Sequence, residues 1–206
     1  MLIPDLFQKW NIQPTGIIHI GAHMCEERDI YAHAGLDDTK IIWIEGNPSI
    51  YERAKNTLPS SIQLYQGLIS DKEEIVEFIV TNNFQSSSFL ELKDHRNEHP
   101  DVYEIERLAL LTCTLPQFYQ KYNINGYNYD MLVMDIQGAE LHALKGMGSS
   151  LNYFKYIYLE VNTKELYQSC GLLPEIQDYL ARYNFEMKDI NMTRHGWGDA
   201  YFCKIF

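Results

Sequence analysis

Four short apolar runs, each closed by a glycine or an acid, set the outline of this chain. They are IIHI (Ile17–Ile20) before Gly21, IIWIE (Ile41–Glu45) before Gly46, MLVM (Met131–Met134) before Asp135, and YIYLEV (residues 156–161), which carries Glu160 and runs into Asn162. Apolar runs of this length without polar alternation are what strands buried on both faces look like. Helical patterns follow them: residues 25–36 after the first, 49–58 after the second, and a stretch opened by Gly138, Ala139 and Glu140 after the third. Strand alternating with helix predicts an α/β fold, a mainly parallel doubly wound sheet whose ligands meet the carboxyl ends of the strands.

The remaining segments fit around that sheet. Residues 4–10 read as a short opening helix begun by Pro4, and residues 62–68 as a third strand. A half-exposed strand is predicted at Ile75–Thr81, then a polar loop, FQSSSFLEL (residues 84–92), and a charged stretch, KDHRNEHPD. Residues 108–115 look like another short strand, and LPQFYQKYNI like a helix begun by Pro116. Leu172, Ile176, Tyr179, Leu180 and Tyr183 recur at helical spacing. Residues 185–192 and 200–206 then read as two strands joined by TRHGWGD, an antiparallel hairpin closing the sheet. At 206 residues the expectation is one domain spanning 1–206.

Charge and cysteine usage narrow the class of partner. A formal net charge of −11, with no run of Lys or Arg, argues against a nucleic-acid backbone or an anionic membrane. No apolar segment approaches the roughly 20 residues of a membrane helix, and the N-terminus shows no signal core, so a soluble, cytoplasmic protein is expected. The four cysteines are scattered singly, which signals neither a zinc site nor a disulfide framework.

Three features fall at corresponding strand ends. Gly21, in HIGAHMCEE, stands where a strand meets a helix and lets the backbone approach a ligand. Glu45 ends the second strand 24 residues later, where a carboxylate can accept from both hydroxyls of a ribose. Together they point to an adenosine-containing ligand without separating NAD from S-adenosylmethionine. Asp135 and Glu160 form the third feature, each at the end of its own buried strand. Helix capping is an alternative role for both.

At this point the sequence resembles a known family. IIHIGAHMCEE, IIWIEGNP, the SSSF loop, LTCTLPQFYQKY, MLVMDIQGAELHALKGM and YIYLEV follow, in order, the pattern of the FkbM-type methyltransferases, and WGDAYFCK is similar to their closing strands. The resemblance implies a Rossmann-like class I methyltransferase fold with S-adenosylmethionine as cofactor. On this chain it implies that Gly21, Ala22 and His23 pass beneath the methionine part and that Glu45 holds the ribose. Asn47 would lie beside the adenosine, Ser70 and Asp71 on the adenine side, and Asp135 at the transferred methyl. His19 replaces the family's usual acid, and GAHMC its usual GANxG, so His23 stands for Asn and Cys25 for Gly.

An alcohol acceptor needs help to lose its proton. Asp135 is the first candidate base and His195 the second. A competing reading makes Asp135, Glu160 and Asn162 ligands of Mg²⁺, which would acidify the hydroxyl. The resemblance favours O-methylation of a sugar or glycan, a deoxysugar such as rhamnose being the preferred acceptor, and Ser87, Ser88 and Trp197 are the candidate acceptor contacts. A non-sugar natural product is the alternative acceptor. Two rival classes remain at this stage: a nicotinamide-dependent oxidoreductase, and a non-catalytic module serving within a larger glycan-modifying assembly.

Overall fold

The structure is a computed structural model and describes residues 5–205. Pro4, where the first helix was expected to begin, and Phe206, where the last strand was expected to end, lie outside the described residues. In chain order the strands are β1 (Ile17–Ile20), β2 (Ile41–Glu45), β3 (Gln63–Gln66), β4 (Leu68–Ile69), β5 (Ile75–Thr81), β6 (Glu104–Cys113), β7 (Met131–Met134), β8 (Tyr156–Asn162), β9 (Phe185–Met192) and β10 (Trp197–Lys204). The α-helices are α1 (Leu6–Lys9), α2 (Arg28–His33), α3 (Pro48–Thr57), α4 (His95–Glu98), α5 (Leu115–Tyr122), α6 (Glu140–Met147) and α7 (Leu173–Ala181). None of these helices is long and apolar enough to cross a membrane.

Seven strands form one sheet in the order β3-β2-β1-β7-β8-β10-β9. The first five are parallel, and β10 enters antiparallel between β8 and β9. From β1 the chain winds outward through β2 and β3, then returns to build β7 on the other flank. The gap between β1 and β7 is therefore the topological switch point, where such sheets open a ligand crevice.

Strand residues alternate between two apolar layers, which is why the central strands are apolar throughout. Ile18, Ile20, Ile42, Ile44, Leu132, Met134 and Leu159 pack with Phe118 of α5, Leu144 of α6 and Ile176 of α7. Ile17, Trp43, Met131, Val133 and Tyr158 face the other way, onto Leu6 and Phe7 of α1 and Tyr31 of α2. Covering both faces keeps the backbone groups of the central strands away from competing water.

The structure departs from the sequence reading in several places, among them β10, which begins at Trp197 inside the expected loop, and α4, which was not expected. The single strand expected at 62–68 is two, because the chain breaks at Gly67, where a Cβ would fall 2.8 Å from the Phe118 ring. Beyond that break, β4 joins β6 and β5 in a separate three-stranded sheet, order β4-β6-β5. The strand expected at 108–115 is the end of the ten-residue β6, whose outer part carries Glu104, Glu106 and Arg107 and is largely exposed. Helix α2 is also shorter than residues 25–36. It begins only at Arg28, because Cys25 takes a left-handed φ of 59°, and it gives way before Gly35 at φ 84°.

Candidate active site

At the carboxyl ends of β1, β2, β7 and β8 lies a cavity of about 330 Å³. Its floor is the β1 turn. Gly21 has φ 89°, and a Cβ there would come 1.8 Å from the carbonyl oxygen of Asp135. The Gly21 amide donates to the Ile44 carbonyl (2.9 Å) and the Asp135 amide to the Ile20 carbonyl (3.0 Å), so three strand ends converge on this residue. Glycine is required here by the neighbouring strand end, a different cause from the ligand approach expected from the sequence.

Past Gly21 the GAHMC turn holds His23 at φ 43° and Cys25 at φ 59°. These are the positions where Asn and Gly were expected, and Asn and Gly adopt that conformation most readily. Here it is kept by side-chain and backbone bonds instead. The His23 amide donates to Glu45 Oε2 (2.7 Å), the Met24 amide to Glu26 Oε2 (3.0 Å), and the His23 imidazole pairs with Glu26 at 2.5 Å. That partner raises the His23 pKa.

Glu45 is only 8% exposed. Its other oxygen accepts from the Asn47 amide at 2.6 Å. Burial raises its pKa, and the two amides act against that rise. Each carboxylate oxygen keeps a lone pair for a ligand hydroxyl. Asn47 caps α3 through Oδ1, while its Nδ2 is buried without a partner. Along the adjoining wall run Leu68, Ile69 and Phe78.

Several residues expected in the site lie outside it. Ala22, Asn47, Ser70 and Asp71 do not line the cavity. Ala22 is buried in the core layer beneath the turn. The Ser70 turn is closed off by α6, since a Cβ on Gly146 would fall 2.0 Å from the Ser70 carbonyl oxygen. His195 is drawn away as well: its Nδ1 lies 2.9 Å from Glu98 Oε2, its Nε2 accepts from Arg194 at 3.2 Å, and Glu98 also pairs with Lys164. The histidines that line the cavity are His19, His23, His95 and His99. His19, where an acid was expected, stacks on Trp43 with ring centroids 4.7 Å apart and meets the Tyr31 hydroxyl at 2.8 Å, and burial lowers its pKa to about 3. It is therefore a neutral core group.

Asp135 and Glu160 do line the cavity, and Gln137 joins them. Its Nε2 donates to Asp135 Oδ1 (2.6 Å) and to Glu160 Oε2 (3.1 Å), and its Oε1 accepts from the Tyr167 hydroxyl (2.6 Å). Burial, reinforced by Asp135, Glu140 and Asp199, pushes Glu160 well above the usual carboxylate range, favouring its protonated form. Beneath them Glu140, 1% exposed, accepts from the Ile136 and Gly138 amides, and burial raises its pKa to about 8.

The Mg²⁺ reading does not fit this donor set. An N–H donor lies between the two carboxylates, and Asn162 is fully buried and does not line the cavity. Among the described residues, no three His, Cys, Asp or Glu gather to hold a metal ion.

The cavity is also lined by Ser86, Ser87 and Ser88, by His95 and His99, and by Tyr167 and Trp197. The Ser86, Ser87 and Ser88 oxygens accept from Asn83 Nδ2, the Thr81 amide and the Leu90 amide. Six carboxylates line the cavity and no Lys or Arg does, among the described residues. Sequence reasoning missed Gln137 and His95. Gln137 was given no role, and His95 belonged to a stretch read only as charged.

Comparison with known proteins agrees with this architecture. A protein of the NADB-Rossmann superfamily from Streptococcus agalactiae superposes with a TM-score of 0.53 at 13% identity, over 99% of this chain and 69% of that one. Magnesium protoporphyrin IX methyltransferase from Synechocystis PCC 6803, solved with bound SAM, gives 0.47 at 10% identity over 92% and 69%. A search of curated proteins finds no sequence match. The methyltransferase FkbM domain matches residues 19–187, which span every strand end that forms the cavity, and the chain belongs to that family.

Proposed function

We propose that this protein transfers a methyl group from S-adenosylmethionine to a hydroxyl of a sugar or glycan, with a deoxysugar such as rhamnose as the preferred acceptor. The observation that carries the reading is that one cavity is lined by two chemically distinct groups of residues. The first group suits a nucleoside. Glu45 is buried with free lone pairs, and Leu68, Ile69 and Phe78 offer an apolar wall for an adenine ring. These residues fit S-adenosylmethionine, which when bound supplies a sulfonium methyl already activated for displacement.

The second group suits an uncharged polyhydroxyl compound. The serine hydroxyls accept from the protein and so keep their own protons to donate outward. Trp197 gives a flat apolar face of the kind that stacks on sugar rings. In the same cavity Asp135 is the group we assign to take the acceptor's proton, while protonated Glu160 can donate to the acceptor oxygen and orient it.

Incubating the protein with methyl-labelled S-adenosylmethionine and a panel of neutral sugars, deoxysugars and polyketide alcohols tests the reading. Label on a sugar oxygen supports it. Label only on a non-sugar alcohol moves the acceptor class, and failure of S-adenosylmethionine to bind at millimolar concentration removes the methyltransferase reading in favour of a binding module.

A further inference from the structure

Gln137 holds a conformation that its own backbone disfavours. Its φ is 57°, and Gly138 follows at φ 92°, so two left-handed residues stand in succession between β7 and α6. Glycine occupies the second at no steric cost, and glycine at the first would relieve the turn. Gln has neither that freedom nor the short side chain with which Asn and Asp stabilise the left-handed region. A side chain kept against such a preference points to work done by the side chain itself.

That work is visible in its bonds. Both protons of one amide reach carboxylates on two different strands, and its oxygen takes the proton of Tyr167, from the segment after β8. The Tyr167 hydroxyl also lies 3.3 Å from the Ser86 carbonyl oxygen, and its ring is 5.3 Å from that of His95. Every polar atom of the Gln137 side chain is therefore engaged inside the cavity wall. Among the described residues, no Lys or Arg lines the cavity to do the same for Asp135. Without the amide, Asp135 and Glu160 would be two adjacent carboxyls free to share a proton with each other and turn away from a ligand.

We propose that Gln137 is the positioning residue of the transfer site, fixing the Asp135 carboxylate in the cavity wall and tying it to the serine loop through Tyr167. This rests on the methyl-transfer reading and adds to it which residue sets the geometry of the proton acceptor. It also accounts for the left-handed turn, which aims the Gln137 side chain back across its own strand end.

Two probes that need no acceptor test it by calorimetry on the full chain. S-adenosylhomocysteine lacks the methyl and its charge, whereas sinefungin carries an ammonium where the methyl stands. A fixed Asp135 carboxylate favours sinefungin by about 10-fold, the equivalent of one well-placed charge pair. Gln137→Gly relaxes the turn and Gln137→Met keeps the side-chain volume. Both are expected to bind S-adenosylhomocysteine within about twofold of wild type while the sinefungin preference falls to about twofold or less. In an Asp135→Asn background the same substitutions are expected to change nothing further, because the double-mutant cycle isolates the action of Gln137 through Asp135. A preference retained in both variants, or lost by the same factor with and without Asp135, overturns the inference. Failure of the wild type to bind S-adenosylhomocysteine overturns the cofactor reading and the inference with it.

Discussion

At the scale of single residues, the site depends on side chains and glycines that serve their neighbours before any ligand. Gly21→Ala would drive a methyl group into the Asp135 carbonyl, which cannot retreat without breaking the β1–β7 contact. A loss of about 3 kcal/mol or more in urea unfolding is the expected outcome, as for other substitutions at strained, closely packed positions. Glu45→Ala removes the acceptor of two loop amides as well as the proposed ribose contact. S-adenosylmethionine affinity measured by calorimetry should fall by at least about 10-fold, in line with about 1.5–3 kcal/mol for a hydrogen bond to a charged group. The sequence marked Gly21, Glu45, Asp135 and Glu160 as special because strand-end position is visible from apolar run length alone. It did not reveal why Gly21 must be glycine, since the atom it meets lies 114 residues further along the chain. Nor did it give any role to Gln137, whose partners come from three separate segments.

Elements were legible where burial was uniform. The strands β1, β2, β7 and β8 are covered on both faces, so their sequences are apolar but for His19 and the acids and amide near their carboxyl ends, and each was found within a residue or two. By contrast, β3 and β4 form an unbroken polar-apolar mixture in sequence, and only the Phe118 ring at Gly67 divides them between two sheets. Short α4 escaped notice because four residues carry no periodicity. Helix α5 was recognisable from Pro116, and the structure adds a capping box in which Thr114 and Gln117 satisfy each other's amides. Thr114→Ala should therefore cost about 1 kcal/mol, read as a shift of the chemical-denaturation midpoint at unchanged slope. Because Phe118 of α5 also sets the break at Gly67, loosening this helix should raise hydrogen exchange in β3 and β4 before it does so in β7.

For the whole molecule, the acidic balance and the cavity are one problem. Of a chain with net charge −11, six carboxylates face a single cavity, and Glu140 lies buried directly beneath. A carboxyl whose folded pKa is raised stabilises the fold fully below its unfolded pKa, and that contribution is lost as pH rises through the folded value. For Glu140 the window runs from the ordinary value of 4.5 to about 8. Melting temperature should accordingly decline across that range, and Glu140→Gln should flatten the decline by a few degrees at the upper end. The same concentration of acids explains why an uncharged acceptor suits this cavity better than a phosphate or carboxylate. The central claim is that Asp135 stands between cofactor and acceptor. It is tested most directly by measuring transfer of labelled methyl from S-adenosylmethionine to the sugar panel by the wild type and by Asp135→Asn. The account predicts label on a sugar oxygen with the wild type, and turnover at least about 100-fold lower in the variant, the scale of a lost general base, at equal cofactor affinity. Undiminished transfer by the variant, or loss of cofactor binding in step with turnover, would contradict it.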